Sequence, residues 1–195
     1  MNIRALLPGL LLLASGIALA DGVAAPSSIN QSVLNNVAPG YRGNVGVNQA
    51  AGDQQQQANG RAIALGSNAK ATTSFIQKNS IGSDLSQAAR ASIEGNSFAN
   101  GSGAVGVNQS AGASTQQVNA MRISVSAYPQ GMDDSELAQT STLQPNFGAD
   151  GTPSGEHRLD MSDSAFKGSQ GVVQLNQSAG VGNHMANTLS IRVAD

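Results

Sequence analysis

The chain has 195 residues, with ten Lys and Arg against twelve Asp and Glu, so its formal net charge is only −2. A charge this close to zero lacks the excess of basic residues that is typical of nucleic-acid-binding proteins. Cysteine is absent and only 3% of the residues are aromatic, which excludes disulfides and disfavours a conventional core, whereas the abundant small and amide side chains suit stacked β-layers.

The first twenty residues have the pattern of a secretory signal peptide. Arg4 supplies a positive charge, residues 6–19 are mostly apolar, and a small-x-small motif ends at Ala20. We expect cleavage between Ala20 and Asp21, followed by export. A membrane anchor is the alternative, but the apolar run is shorter than the roughly 20 residues that span a bilayer.

A unit of 23 residues occurs three times, at residues 43–65, 103–125 and 171–193, with offsets of 60 and 68. The copies align without a gap, which is the signature of a repeat architecture. The columns identical in all three copies are Gly43/Gly103/Gly171, Val45/Val105/Val173, Asn48/Asn108/Asn176, Gln49/Gln109/Gln177, Ala51/Ala111/Ala179, Gly52/Gly112/Gly180, Asn59/Asn119/Asn187 and Ile63/Ile123/Ile191.

Each copy has the period-two pattern of β-strands on both sides of a break. In the first copy, Val45 and Gln49 share one face of a strand and Asn48 lies on the other. Asn59 and Ile63 share a face of a second strand. An Ala-Gly pair and a polar stretch separate the two strands and predict a turn. The turn glycines are Gly52, Gly112 and Gly180.

We predict that the three copies stack as layers about 4.8 Å apart, with each strand paired to its counterpart. Each column of Asn or Gln then forms a ladder, because a side-chain amide carries both a donor and an acceptor. A register slip would leave buried amides unpaired, at about 1–3 kcal/mol each. The repeat arginines Arg61, Arg122 and Arg192 fall in different columns, so like charges do not stack.

The remaining segments are read as an N-terminal extension, two linkers and a short C-terminus. The extension covers residues 21–42, the first linker residues 66–102, and the acidic second linker residues 126–170, with the third repeat and C-terminus at residues 171–195. The sequence DLSQAARASI in the first linker fits either a short helix or a further strand. The predicted fold is thus all-β: a β-solenoid or cross-β stack of three strand–turn–strand repeats with long irregular linkers.

No pattern in the chain predicts catalysis, a cofactor or a metal site. His157 and His184 lie in different segments without a zinc-ligand spacing. Residues 133–136 are acidic but lack the order of a calcium loop. Asn108 and Asn176 match the glycosylation sequon, but the first copy lacks its Ser, so a structural column explains them better.

The repeats, of the type GVVQLNQSAG followed by Asn and Ile-x-Val, together with the signal peptide and two unrelated linkers, resemble the fibre subunits of the functional amyloid of Pseudomonas family. The resemblance implies an extracellular amyloid of the biofilm matrix, without catalytic residues and with the repeat columns as fibril core. It implies export through the periplasm and an outer-membrane pore with periplasmic factors. The implied fibril partners are further copies and the major subunit, not nucleic acid or a membrane interior.

Two features make the chain resemble the minor, nucleator-type subunit of such systems. The major subunit and one accessory component carry a Cys-x-Cys motif near the C-terminus, whereas this sequence has no Cys and ends two residues after its third repeat. A major subunit of a divergent system is one alternative. A second is a monomeric secreted β-solenoid that serves as an adhesin or assembly accessory. An enzyme on a β-helix would need more turns and a convergent set of acids.

Overall fold

A computed structural model describes residues 29–80, 87–127, 137–142 and 155–194. The predicted signal peptide and residues 133–136 lie outside these ranges. The described residues form β-strands and turns, and they include no helix that could cross a membrane. The strands are β1 Ile29–Asn35, β2 Arg42–Ala51, β3 Gln56–Gly66, β4 Phe75–Ser80, β5 Ala88–Glu94, β6 Ser102–Ala113, β7 Gln116–Ser126, β8 Leu137–Thr142, β9 His157–Met161, β10 Gln170–Val181 and β11 His184–Ala194.

Every sheet among the described residues is parallel and joins strands that are far apart in the sequence. The central strand is β5 in the sheet β1-β5-β9, β6 in the sheet β2-β6-β10 and β7 in the sheet β3-β7-β11, and β4 pairs with β8. The chain therefore forms three layers: layer one is β1–β4, layer two is β5–β8 and layer three is β9–β11. The prediction of an all-β fold is confirmed.

The strands of the repeats pair in the register of the 23-residue alignment. Asn48 and Asn176 both pair with Asn108. In the next sheet, Asn119 pairs with both Asn59 and Asn187. Parallel pairing in register puts each set of identical residues in a line across the three layers. Arg61 pairs with Met121, so the arginine columns are indeed mixed.

Strand pairing extends beyond the repeats. β1 lies in the N-terminal extension, β4 and β5 in the first linker, and β8 and β9 in the second. The prediction of irregular linkers is therefore wrong for these segments. DLSQAARASI includes strand β5 up to Ile93, and Ala89, Ala91 and Ile93 bury one face of this strand while Arg90 on the other face is exposed. Pairing to β1 and β9, as well as burial, holds β5 as a strand.

In layer one, the strands pack face to face in chain order. β1 covers one face of β2, where Gln49 Nε2 donates to the carbonyl of Val33, and β3 covers the other. β4 lies on the outer face of β3, where Phe75 packs over Gly60. A Cβ atom at Gly60 would collide with the Phe75 ring, so a side chain at this position would displace that ring.

The apolar core lies between the β1 and β2 sheets and is closed by a turn. Leu34, Ile93, Val105 and Val107 are buried there around Phe98. The Phe98 ring stacks on the Phe166 ring of layer three, with centroids 5.0 Å apart. Both residues have left-handed backbone conformations, as does Ala38 at the equivalent position in layer one. The turn between the first two strands of each layer thus repeats as well.

Replacing Phe98 by Ala is expected to lower the free energy of unfolding by about 3–5 kcal/mol, because it opens a cavity in the core. Phe98 is fully buried. Urea unfolding of freshly prepared monomer, followed by circular dichroism, measures this change. The control is Ile76→Ala, since Ile76 is 62% exposed and should shift stability by less than about 1 kcal/mol. Equal losses in the two variants would contradict the assignment of Phe98 to the core.

Candidate functional site

Two asparagine columns meet between the β2 and β3 sheets. In layer one, Asn59 Nδ2 donates to the carbonyl of Val47 at 3.0 Å and to Asn48 Oδ1 at 2.7 Å. The same pair of bonds occurs in the other layers. Asn119 donates to Val107 and Asn108, both at 3.0 Å, and Asn187 donates to Leu175 and Asn176, both at 2.9 Å.

The same amides are bonded from layer to layer. Asn108 Nδ2 donates to Asn48 Oδ1 at 2.9 Å, and Asn176 Nδ2 donates to Asn108 Oδ1 at 2.9 Å. In the second column, Asn119 donates to Asn59 at 3.0 Å and Asn187 donates to Asn119 at 3.1 Å. Each asparagine of layer two is thereby bonded both within its layer and along the column.

A glutamine column lies on the opposite face of the same strands. Gln109 donates to Gln49 Oε1 at 3.1 Å, and Gln177 donates to Gln109 Oε1 at 3.0 Å. Each glutamine also reaches the backbone of the neighbouring sheet, for example from Gln109 Nε2 to the carbonyl of Ser92 at 2.8 Å. The column therefore ties the β1 sheet to the β2 sheet while it links the layers.

Burial of these columns depends on the layer. Asn108 and Gln109 are 0% exposed, whereas Asn48 is exposed and Gln49 is half-buried. In layer three, Asn176 is buried but Gln177 is half-buried. Layer two is covered on both sides, and each outer layer has a single neighbouring layer in the described structure. The burial contrast follows from that arrangement.

In the apolar columns, too, the exposed fraction of the side chain depends on the layer, and the valine column is more deeply buried than the isoleucine column. Val105 is 1% exposed, whereas Val173 is 44% exposed and Val45 is half-buried. The isoleucine column lies nearer the surface, with Ile63 exposed. Its other members, Ile123 and Ile191, are half-buried. The valine column therefore contributes to the core in layer two, whereas the isoleucine column lies at the edge of the core.

The turn glycines occupy a backbone conformation that other residues rarely adopt. Gly52, Gly112 and Gly180 have φ values of 102°, 114° and 126°. They also lie directly on one another. A Cβ atom at Gly112 would collide with the carbonyl oxygen of Gly180. Both the backbone angle and the close approach of the layers therefore require glycine.

Sequence reasoning missed a further set of buried glutamines. Gln117 is 0% exposed and donates to the carbonyl of Gln109 at 3.0 Å and to Ser178 Oγ at 3.0 Å. Gln57 makes the equivalent bonds to Gln49 and Ser110. These residues lie in the polar stretch that the sequence analysis assigned to the turn. The signal was available, because a Gln-Gln pair recurs at an offset of 60.

Charged groups lie at the margins of the columns. The Arg61 guanidinium donates from Nη2 to the carbonyl of Val45 at 2.6 Å, and partial burial lowers the pKa of Arg61 through desolvation. The exposed Arg158 is held by Asp160 at 2.6 Å, and this hydrogen bond raises the pKa of Arg158. Among the described residues, no three His, Asp or Glu side chains form a cluster that could hold a metal.

The geometry defines a class of protein in which parallel layers pair through identical amide and apolar columns. The sequence model of the functional amyloid protein FapB/FapC family matches residues 16–194. The chain belongs to this family of structural amyloid subunits, which are not enzymes.

A curated relative supports the family assignment. The chain is 37% identical over 124 residues to the functional amyloid subunit FapC of Pseudomonas aeruginosa. The aligned part is 59% of this chain and 36% of the relative, so the chain spans about a third of that protein's length. No solved structure matches the chain.

Replacing Asn108 by Ala is expected to lower the free energy of unfolding by about 2–4 kcal/mol, because several partners of this buried amide lose hydrogen bonds. The partners include Asn48, Asn119 and Asn176. Urea unfolding of the monomer gives the value. Asn68→Ala, in an exposed turn, is the matched control and should be neutral within about 0.5 kcal/mol. A neutral Asn108→Ala would show that the columns do not stabilise the fold.

Proposed function

We propose that the chain is a secreted subunit that self-assembles into extracellular functional amyloid fibrils of the biofilm matrix, as the minor, nucleating component. The observation that supports this proposal is the burial contrast between the layers. Asn108 and Gln109 are fully enclosed and bonded on both sides, whereas Asn48 and Gln49 have a neighbour on one side. A layer supplied by a second copy would complete the environment of layer one.

In this proposal, the three layers act as a short β-solenoid with open ends. The sheets have β2 and β10, and β3 and β11, as their outer strands in the described residues. Outer strands present N–H and C=O groups to another strand. Because every pairing is parallel, layer three of one copy stacks on layer one of the next. Such a heterologous contact does not close and gives a filament.

The columns that face this junction are the predicted ladder residues. Layer three would present Val173, Asn176 and Gln177 to Val45, Asn48 and Gln49 of the next copy, in the register that already joins the layers. The pairs Asn187–Asn59 and Ile191–Ile63 follow from the second sheet. Identical residues would therefore meet at the junction in all five of these columns.

Cellular location and partners follow from the predicted signal peptide and the resemblance. Cleavage before Asp21 would release the mature chain into the periplasm. Passage through an outer-membrane export pore, with periplasmic factors, would bring it to the cell surface. The nucleating role is supported by the resemblance, since the residues of this sequence include no Cys-x-Cys motif of the kind that the major subunit carries. The major subunit would then extend the fibrils.

Fibre diffraction of the purified chain without residues 1–20 tests self-assembly. We expect reflections near 4.7 Å and 10 Å, together with an axial repeat of about 14 Å, because each copy contributes three unlike layers. Traces of these fibres should also seed a subunit that carries Cys-x-Cys. A stable monomer with β circular dichroism and no fibres would refute the proposal and favour the monomeric adhesin or assembly accessory.

Replacing Asn48, Asn108 and Asn176 together by Ala should slow assembly by more than about tenfold, since every junction and every layer loses amide bonds. Thioflavin fluorescence of the purified chain gives the rate. The control replaces Asp133, Asp134 and Glu136 by Ala, which removes charge outside the repeats and should leave the rate within about twofold. Equal effects of the two triple variants would argue against the amide columns as the assembly element.

A further inference from the structure

The two asparagine columns and the Gln49 column have a direction, because their nitrogen atoms face the same way. Along each of these three columns the donor belongs to the later layer and the acceptor to the earlier one, as in Asn108 to Asn48 and Asn176 to Asn108. Asn119 and Asn187 follow the same rule in the second column. The Gln49 column also follows it. The Gln57 column is the exception, since Gln57 Nε2 of layer one donates to Gln117 Oε1 of layer two.

Backbone carbonyls fix this direction. Asn108 Nδ2 also donates to the carbonyl of Ala58, and Asn176 Nδ2 to the carbonyl of Val118, each at 2.9 Å in the preceding layer. A carbonyl oxygen can only accept a hydrogen bond, so a flipped amide would place two oxygen atoms together. The orientation of Asn48 follows, since its oxygen accepts from both Asn59 and Asn108.

Layer one therefore ends in donors. Within the described part of the chain, Asn48 Nδ2 has no acceptor, whereas Asn108 and Asn176 each have three. Gln49 Nε2 donates to the carbonyl of Val33 alone, whereas Gln109 also donates to two acceptors in the preceding layer. The bonds missing from layer one are those that a preceding layer would receive.

Layer three ends in acceptors. Asn187 Oδ1 and Gln177 Oε1 accept no hydrogen bond from the residues that the structure describes. The equivalent oxygen atoms in layer two accept from layer three. Asn176 Oδ1 accepts only from Asn187 of its own layer, whereas Asn108 Oδ1 also accepts from Asn176 of the next. The open acceptors of layer three match the open donors of layer one in the same columns.

We infer that Asn48, with Gln49 and Asn59, is the donor set that docks a second copy of this chain onto the acceptor set Asn176, Gln177 and Asn187 of the copy before it. The two ends of a fibril are then chemically different, one a donor end and the other an acceptor end. This inference rests on the proposed self-assembly and adds a direction to it. Because the two ends differ, a variant can block growth at one end of the fibril while the other end continues to grow.

The substitution Asn48→Asp separates the two ends. Its carboxylate still accepts the bonds from Asn59 and Asn108 that hold the monomer together. It cannot donate to the oxygen atoms of a preceding copy, and it places a negative charge against them. A variant copy can therefore join a wild-type donor end through its intact layer three. It cannot join an acceptor end, and the donor end that it occupies is then blocked.

The experiment uses wild-type fibrils in one fluorescent colour and wild-type monomer in a second, with growth of each end followed by microscopy. Addition of a tenth part of Asn48→Asp should slow one end by at least about tenfold and leave the other within about twofold. The matched control is Asn68→Asp, the same change in an exposed turn of layer one, and it should spare both ends. Equal slowing of both ends, or no slowing, would overturn the inference.

Acidic solution gives a second test of the same bond. An aspartic acid has an ordinary pKa of about 3.9, and its protonated form donates one hydrogen bond. The block by Asn48→Asp should therefore weaken as the pH falls from 7 to about 3, relative to wild type at each pH. A block that is unchanged at low pH would point to misfolding of the variant and contradict the donor assignment.

A measurement on wild-type fibrils needs no variant. The side-chain amide protons of Asn48 should become as protected from hydrogen exchange in the fibril as those of Asn108, by solid-state NMR. Free exchange at Asn48 within fibrils would overturn the inference but leave self-assembly standing. If the wild-type chain extends no seed of its own, both proposals fail. If the wild-type chain extends only fibrils of the major subunit, the neighbour that packs against layer one is the major subunit and not a second copy, which overturns the inference.

Discussion

The fold depends on the requirement that a buried side-chain amide find partners for both its donor and its acceptor. Asn48 and Asn176, in line with Asn108, supply a partner for its nitrogen and its oxygen, and the Ala58 carbonyl and Asn119 supply one more for each. An enclosed amide without partners would cost about 1–3 kcal/mol per group. Parallel pairing in exact register is the arrangement that supplies those partners in every layer. The shape of the molecule therefore follows from its amides as much as from its apolar residues.

The need for small residues at the turns follows from the same requirement for amide partners. Layers can bond through side chains only if their backbones approach closely at the turns, and Gly112 lies against Gly180 for this reason. Gly60 likewise leaves room for the Phe75 ring, which brings the fourth strand against the third. The aromatic residues within the described ranges lie at or beside the turns and on an outer face, and Phe98 and Phe166 stack on each other. A chain of this composition thus buries a core without many large side chains.

The same interaction that holds the layers together leaves the ends unlike. A column of amides that all point one way satisfies every interior residue and leaves donors at one end and acceptors at the other. A closed protein would have to cover both sets. Here Asn48 and Ile63 remain exposed, and the family to which the chain belongs consists of functional amyloid subunits. In the proposed assembly, stability of the monomer and addition of further copies draw on one kind of bond.

By itself, the sequence determined the all-β class, the repeats, the register and the columns of Asn and Gln, because identical residues at fixed offsets identify their own partners. It did not determine the strands outside the repeats. Strand β5 shares little sequence with β1 or β9, and its strand conformation depends on burial of Ala91 and Ile93. The glutamines of the turn region, such as Gln117, were polar in sequence and became buried only through tertiary packing. The direction of the amide columns was likewise decided by tertiary structure, since it depends on which backbone carbonyl lies beside each nitrogen atom.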